Sequence, residues 1–252
     1  MVLSIILHVV NERVYILGIP VDVVTLADAC DRIFGFLKAE GRHHVMTPNP
    51  EMLVESSRNP IFKDVLMTSS LNVPDGAGLL WASRGKLPAR VTGIDLLSAL
   101  CADPRCPSVF LLGAAPGVAE RAGAALRDIN PSLIVAGTYS GSPSVADEEG
   151  IIRRINESGA SILFVAYGAP KQDLWIARNL PKLHSVRVAM GIGGALDFLA
   201  GVRKRAPSFM RSMHLEWLWR LIQEPRRFVR IFTAVVIFPL LVFSSPQTQA
   251  RL

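Results

Sequence analysis

A few polar side chains set in proline- and glycine-rich loops are the residues of this chain best suited to chemistry. Asp75 lies in Val73-Pro74-Asp75-Gly76-Ala77-Gly78. A carboxylate on a loop after a short strand sits on the expected ligand edge and can act as a general base, taking a proton from an attacking hydroxyl. Pro-Asp-Gly is also an ordinary turn, in which the aspartate has only a conformational role. The loop Thr47-Pro48-Asn49-Pro50-Glu51 carries two hydrogen-bonding side chains two residues apart. Its prolines hold the backbone extended, so Thr47 and Asn49 point the same way and can bind a sugar or orient a carboxylate; helix capping before Glu51 is the alternative. In Ala166-Tyr167-Gly168-Ala169-Pro170-Lys171-Gln172-Asp173, Lys171 can pair with phosphate. Gln172 offers donors and acceptors to a sugar or a uracil edge, unless both side chains are simply solvated. Leu112-Gly113-Ala114-Ala115-Pro116-Gly117 could bring backbone N–H groups to a phosphate at a helix start. It lacks the dinucleotide-fingerprint spacing and serves equally as a structural turn. In Gly191–Asp197 glycines again follow a strand, and Asp197 falls in a helical apolar pattern, as a brace rather than a reactive group.

The charge is concentrated near the end of the chain. Between Arg203 and Arg230 eight basic residues face two acidic ones, which accounts for the whole net charge of +6. Arg220, Arg227 and Arg230 are spaced by seven and three. That spacing puts them on one face if the helix continues past Pro225, which can kink or split it. Guanidinium groups match phosphate oxygens bidentately, so the three suit a diphosphate clamp, or alternatively a set of lipid-headgroup contacts. Behind them runs the apolar stretch Ile231–Phe243, broken only by Thr233 and Pro239. Spanning a bilayer takes about 20 apolar residues, more than this stretch has. Basic residues, Trp217 and Trp219, and a short apolar segment predict a helix lying in the interface of an anionic membrane. Charge confined to such a segment argues against nucleic acid as a partner.

Other chemistry is poorly supplied. His8, His43, His44, His184 and His214 have no ligand spacing, and no Asp-x-Asp pair is present to hold a divalent ion on a nucleotide-sugar diphosphate. No metal and no cofactor is expected, and the charge of a departing diphosphate must be met by helix termini and basic side chains. Cys30, Cys101 and Cys106 form no redox or metal pattern and suit a reducing compartment. The apolar start Met1–Val10 lacks a basic n-region and a cleavage site, and reads as the lead-in to a first strand of a protein that is not exported.

Short apolar runs that alternate with helical patterns must position these groups. Strands are predicted at Val14–Ile19, His44–Thr47, Val109–Gly113, Leu133–Tyr139, Ile162–Tyr167 and Val186–Gly191. Helices are predicted at Thr25–Ala39, Ile94–Ala102, Gly117–Ile129, Ala146–Glu157 and Pro170–Asn179, with Thr25 and Ser144 as N-caps. The alternation implies an α/β fold, a mostly parallel Rossmann-like sheet with helices on both faces, whose ligands bind beyond the carboxyl ends of the strands. We divide the chain into a catalytic domain, 1–202, and a basic, amphipathic helical appendage for membrane association, 203–252.

Taken together the segments resemble the WecG/TagA/CpsF glycosyltransferases, glycosyltransferase family 26. The resemblance is carried in order by TPNPE (47–51), PDGAG (74–78), RVTG (90–93), GAPKQD (168–173), GGALDFLAG (193–201), RAP (205–207) and EWLWRLIQEPRRFVR (216–230). Asp173 stands where the family usually has Glu, and Ala89 where Glu is common. The resemblance implies transfer of a hexose-type sugar from a UDP-sugar to a polyprenyl-diphosphate-linked acceptor, without a metal and with inversion, in exopolysaccharide or cell-surface polysaccharide synthesis. It implies Asp75 as the base, Thr47 and Asn49 beside it, Arg90 and Gln172 on donor or acceptor, and Arg220, Arg227 and Arg230 completing the site when the tail docks on the membrane. A cytoplasmic, peripheral location on the inner face of the plasma membrane and a possible homo-oligomer follow from the same likeness. A nicotinamide-dependent oxidoreductase and a non-catalytic pathway scaffold are the alternatives from other classes. The donor sugar stays open among N-acetylmannosamine, its uronic acid and glucose.

Overall fold

The computed structural model describes residues 12–207, 209–210, 213 and 216–245. The start Met1–Val10 lies outside the described residues, and so do the side chains of Glu216, Arg220 and Arg226.

Six strands form one parallel sheet, in the order β4-β3-β8-β7-β5-β6. They are β3 (His43–Met46), β4 (Leu71–Asn72), β5 (Val109–Gly113), β6 (Val135–Tyr139), β7 (Ile162–Ala166) and β8 (Val188–Gly191). Of the four inner strands, β5, β7 and β8 are almost entirely buried apolar runs, as a sheet covered on both faces requires. The strand expected at Val14–Ile19 is a correction. It is split into β1 (Arg13–Ile16) and β2 (Ile19–Asp22), an antiparallel hairpin that stands apart from the main sheet. Leu17 and Gly18, both at positive φ, make the turn. The hairpin is tied to β4 through the buried Asp22, which accepts from the Asn72 backbone N–H at 2.8 Å and pairs with Arg13 and Arg32.

Alternate side chains of the strands feed two cores. Val45, Leu111, Phe164 and Met190 pack under α1 (Leu26–Lys38), α5 (Gly93–Ala102), α6 (Val118–Ile129) and α9 (Ala195–Leu199). On the other face Leu163, Val165 and Ala189 meet α7 (Glu148–Ser158) and α8 (Lys171–Asn179), while Met46 meets α2 (Pro50–Ser56) and α3 (Pro60–Thr68). The caps follow the sequence: Thr25 and Asp28 form a capping box at α1, and Ser144 caps the 3₁₀ turn Val145–Asp147 that leads into α7. The chain leaves β8 for one face of the sheet but leaves its neighbours β3 and β7 for the other. Loops therefore diverge above β8, opening a crevice at the carboxyl ends of the strands. A short helix nearby, α4 (Ala77–Ala82), was not legible as a periodic pattern, whereas α9 bears out the helical pattern around Asp197.

The tail begins with helix Glu216–Gln223 and is then broken at Pro225, as that residue's missing N–H dictates. It resumes as α-helix from Phe228 to Phe232, passes through a π-helical segment Thr233–Ile237, and ends as α-helix Phe238–Ser244. In the π turn the Phe238 N–H reaches the Thr233 carbonyl five residues back, directly before Pro239, which has no N–H to donate. Phe238 is fully buried and Val242 nearly so, in one cluster with Met52, Leu53 and Leu79. Among the described residues no helix is long and apolar enough to cross a membrane.

Candidate active site

Loops after four strands converge in the crevice. After β3 come Thr47 and Asn49, after β4 Asp75, after β7 Gly168 and Gln172, and after β8 Ile192–Ala195. All of them, with Arg227 and Arg230 from the tail, line one cleft. Backbone bonds stitch the loops together. The Asp75 N–H donates to the Pro48 carbonyl at 2.9 Å, and the Val91 N–H to the Pro74 carbonyl at 2.8 Å. Asp75 and Arg90 are thereby set beside the Thr47–Asn49 loop.

Asn49 realises the capping reading: its Oδ1 accepts from the Met52 N–H at 3.0 Å at the start of α2. Thr47, buried, still lines the cleft. Gln172 is not a solvated surface residue but only 4% exposed. Its Oε1 accepts from the N–H groups of Gly168 (3.1 Å) and Gly193 (2.9 Å), which clamps the β7 and β8 loops to each other. Because both partners are donors, the amide oxygen must face them and the Nε2 donor turns the other way. The close approach of β8 depends on Gly191, where a Cβ would stand 2.4 Å from Gln172 Nε2 and 2.5 Å from Asp173 Oδ1. Asp173 itself is buried and faces His44 Nε2 at 3.7 Å. Lys171, in contrast, is exposed. Neither it nor the Gly113–Gly117 loop lines this cleft, and the loop's glycine Gly113 is required by the backbone of Ala166, which a Cβ would approach to 2.8 Å.

A second, wider cleft adjoins the first. Asn49, Asp75, Thr92 and Arg227 line both. Arg90 belongs to the second, whose remaining wall is made largely of apolar side chains from α4 and the tail. Thr92 was not singled out from the sequence. The Thr-x-x-Asp pattern with Asp95 was its signal, and Thr92 does cap α5, its hydroxyl 2.6 Å from Asp95 Oδ2. Burial works against the Asp95 carboxylate, yet hydrogen bonds from Arg205 and Thr92 outweigh it and hold its pKa below the ordinary value. Arg205 pairs with both Asp95 oxygens, fastening the start of the tail to α5.

The tail arginines divide. Arg220 cannot be placed, since its side chain lies outside the described residues. The break at Pro225 removes the single continuous helical face expected for the three, but Arg227 and Arg230 still reach the cleft. Each is held by a carboxylate: Arg230 pairs with Glu51 at 2.6 Å, and Arg227 with Glu224, which also holds Arg203. Arg203 in turn pairs with Asp197 at 3.3 Å, so Asp197 is a brace. Glu224 is disfavoured as a charge by burial, but the Arg227 and Arg203 contacts keep its pKa below the ordinary value.

A crevice at a parallel-sheet switch point, lined by one carboxylate, hydrogen-bonding side chains and guanidinium groups, suits an anionic, sugar-like ligand. The model of the WecG/TagA/CpsF glycosyl transferase family matches residues 14–251, and the chain belongs to that family. Similar proteins include an N-acetylglucosaminyldiphosphoundecaprenol N-acetyl-beta-D-mannosaminyltransferase of Bacillus spizizenii, 37% identical over 195 residues, 75% of this chain and 74% of the relative. A protein of the same description from Staphylococcus aureus is 31% identical over 228 residues, 88% of this chain and 89% of the relative. The chain is thus a glycosyltransferase, which sets aside the oxidoreductase and scaffold alternatives.

Proposed function

We propose that the protein transfers a sugar from a UDP-sugar to a hydroxyl of a polyprenyl-diphosphate-linked sugar, with inversion and with Asp75 as the general base. The observation that carries this reading is the place of Asp75 on the line where a polar cleft and a largely apolar one meet. A base that serves two substrates has to stand between them. The names of the relatives, which act on a sugar carried by diphosphoundecaprenol, support the acceptor class.

In this mechanism the acceptor O–H proton passes to the Asp75 carboxylate while the acceptor oxygen bonds to the anomeric carbon. The bond from that carbon to the β-phosphate oxygen breaks, its electron pair leaving with UDP. A single displacement of this kind inverts the anomeric centre. Thr47 holds sugar or uracil groups in the polar cleft, and Gln172 fixes the Gly168 and Gly193 loops that line it. Arg227 and Arg230 meet the negative charge that grows on the departing diphosphate, a role that needs no divalent ion. Glu51 and Glu224 hold those guanidinium groups at the rim until phosphate oxygens take their place.

UDP release is the test, measured for a panel of UDP-sugars with a prenyl-diphosphate-linked N-acetylglucosamine. Acceptor-dependent release, unaffected by EDTA and lowered about 10²–10⁴-fold in Asp75→Asn, is expected. Release that survives the substitution would remove Asp75 as base. Absence of release from every donor, with lipid present, would overturn the transfer reading.

A further inference from the structure

Beside Gln172 lies a buried pair of titratable side chains that the steps of transfer do not use. Asp173, in the first turn of α8, is only 1% exposed, and neither of its carboxylate oxygens has a hydrogen-bond partner. A carboxylate in a first turn ordinarily faces the free N–H groups of its own helix. No side-chain hydrogen bond caps α8, and Asp173 turns instead to His44 of β3, whose Nε2 stands 3.7 Å from Oδ1. His44 is itself buried, and that nitrogen too lacks a hydrogen bond. The distance suits an ion pair and is too long for a direct hydrogen bond. A buried carboxylate without hydrogen bonds is unfavourable unless a compensating charge or a proton accompanies it. One proton shared between imidazole and carboxylate leaves the pair neutral as a unit, so each member depends on the other.

The pair has a rigid side and a side that leads to the cleft. His44 is fixed by its strand: β3 pairs it with Ala189 of β8, and its carbonyl accepts from the Ser70 N–H at 2.9 Å. Asp173 directly follows Gln172, and both side chains lie against Gly191. Gln172 in turn clamps Gly168 and Gly193, which line the polar cleft. An inner strand of the sheet is thereby connected to two loops of the cleft through one turn of α8.

We propose that His44 and Asp173 are a positioning pair for the transfer site: their mutual neutralisation fixes the first turn of α8 and, through Gln172, the two loops that receive the donor. Apolar side chains would hold this turn with less desolvation, as Trp175 and Ile176 do further along the helix. What the pair adds is a single arrangement, since any rotation of α8 that parts the two leaves a buried charge uncompensated. This inference rests on the transfer reading, and its test separates the two.

The full-length protein is compared with His44→Leu, Asp173→Asn and the double variant. UDP binding at equilibrium is measured without acceptor, and kcat and KM for the UDP-sugar at saturating acceptor. In His44→Leu the carboxylate is left alone, so UDP binding is expected to weaken, and the donor KM to rise, about tenfold or more, while kcat changes less. Asp173→Asn keeps the shape of the side chain, and a smaller loss is expected. The double variant buries no unpaired charge and is expected to recover most of the affinity lost in His44→Leu. Unchanged UDP binding and KM in His44→Leu overturn the assignment while transfer stands. So does a double variant whose loss is the product of the two single losses, since the residues then act independently. Should His44→Leu fail to fold, lost donor affinity in Asp173→Asn with kcat retained supports the pair, and unchanged affinity overturns it. If UDP binding follows the expected order but the wild type releases no UDP from any donor, the transfer reading fails and the positioning pair stands.

Discussion

At the residue scale the site depends on contacts that leave little freedom to substitute. Gln172 connects two loops through a single oxygen, and Gly191 makes room for it. Gly191→Ala puts a methyl group 2.4 Å from Gln172 Nε2, and the side chain must leave its two N–H partners to avoid it. We expect the KM for the UDP-sugar to rise about tenfold or more, since one misplaced positioning group can cost up to 10²-fold. Steady-state kinetics at saturating acceptor measures this, and an unchanged KM would show that Gln172 only braces the loops. Asn49 illustrates a different economy: one amide caps α2 through Oδ1 and still lines both clefts.

At the element scale the tail is fastened by Arg205 to Asp95 at its start and by Arg203 to Asp197, with Glu224 holding Arg203 and Arg227 together in the middle. It is fastened further by Arg230 to Glu51 and by Phe238 in the core. The middle point is titratable. The folded pKa of Glu224 lies below its ordinary 4.5, so its contribution is complete above that value and is lost as the pH falls through the lower folded value. Asp95 behaves in the same direction. Tail protection against limited proteolysis is therefore expected to hold at pH 5 and above and to fail on further acidification. In Glu224→Gln it is expected to be weaker at neutral pH, with much less change below pH 4. Equal acid sensitivity in the two proteins would mean that Glu224 does not hold the tail. At the core anchor, Phe238→Ala is expected to cost about 3–5 kcal/mol, read as a shift in the urea midpoint.

At the scale of the whole molecule the tail both packs into the core and leaves apolar side chains exposed, as a surface suited to lipid would. Phe238 and Val242 pack inward, whereas Phe228, Val229, Leu240 and Phe243 are exposed. A chain ending at Val202 loses both, and we expect it to be destabilised as well as inactive on a lipid acceptor. Full turnover of that chain on a soluble acceptor would show that the tail plays no part in catalysis. The excess of basic residues between Arg203 and Arg230 predicts sedimentation with anionic vesicles that weakens as salt is raised. Binding to neutral vesicles just as strongly would assign the attachment to the apolar side chains alone.

The sequence by itself determined the parallel α/β architecture, because buried strands must be continuous apolar runs and the helices between them must carry one apolar stripe. It also determined which loops bear the polar groups, since Thr47, Asn49, Asp75 and Gln172 all stand where proline and glycine interrupt those periods. The hairpin Arg13–Asp22 and the short helix after Gly76 were hidden, being too short to show a period. Tertiary structure alone decided how the loops join: that one Gln172 oxygen serves two of them, that Thr92 enters the site, and that Arg227 and Arg230 still arrive there after the helix breaks at Pro225. It also made two clefts meet at Asp75. Local periodicity records which face of each element is buried, but not which elements meet. That meeting is set by close packing between segments distant in sequence, down to the space left by a missing Cβ at Gly191.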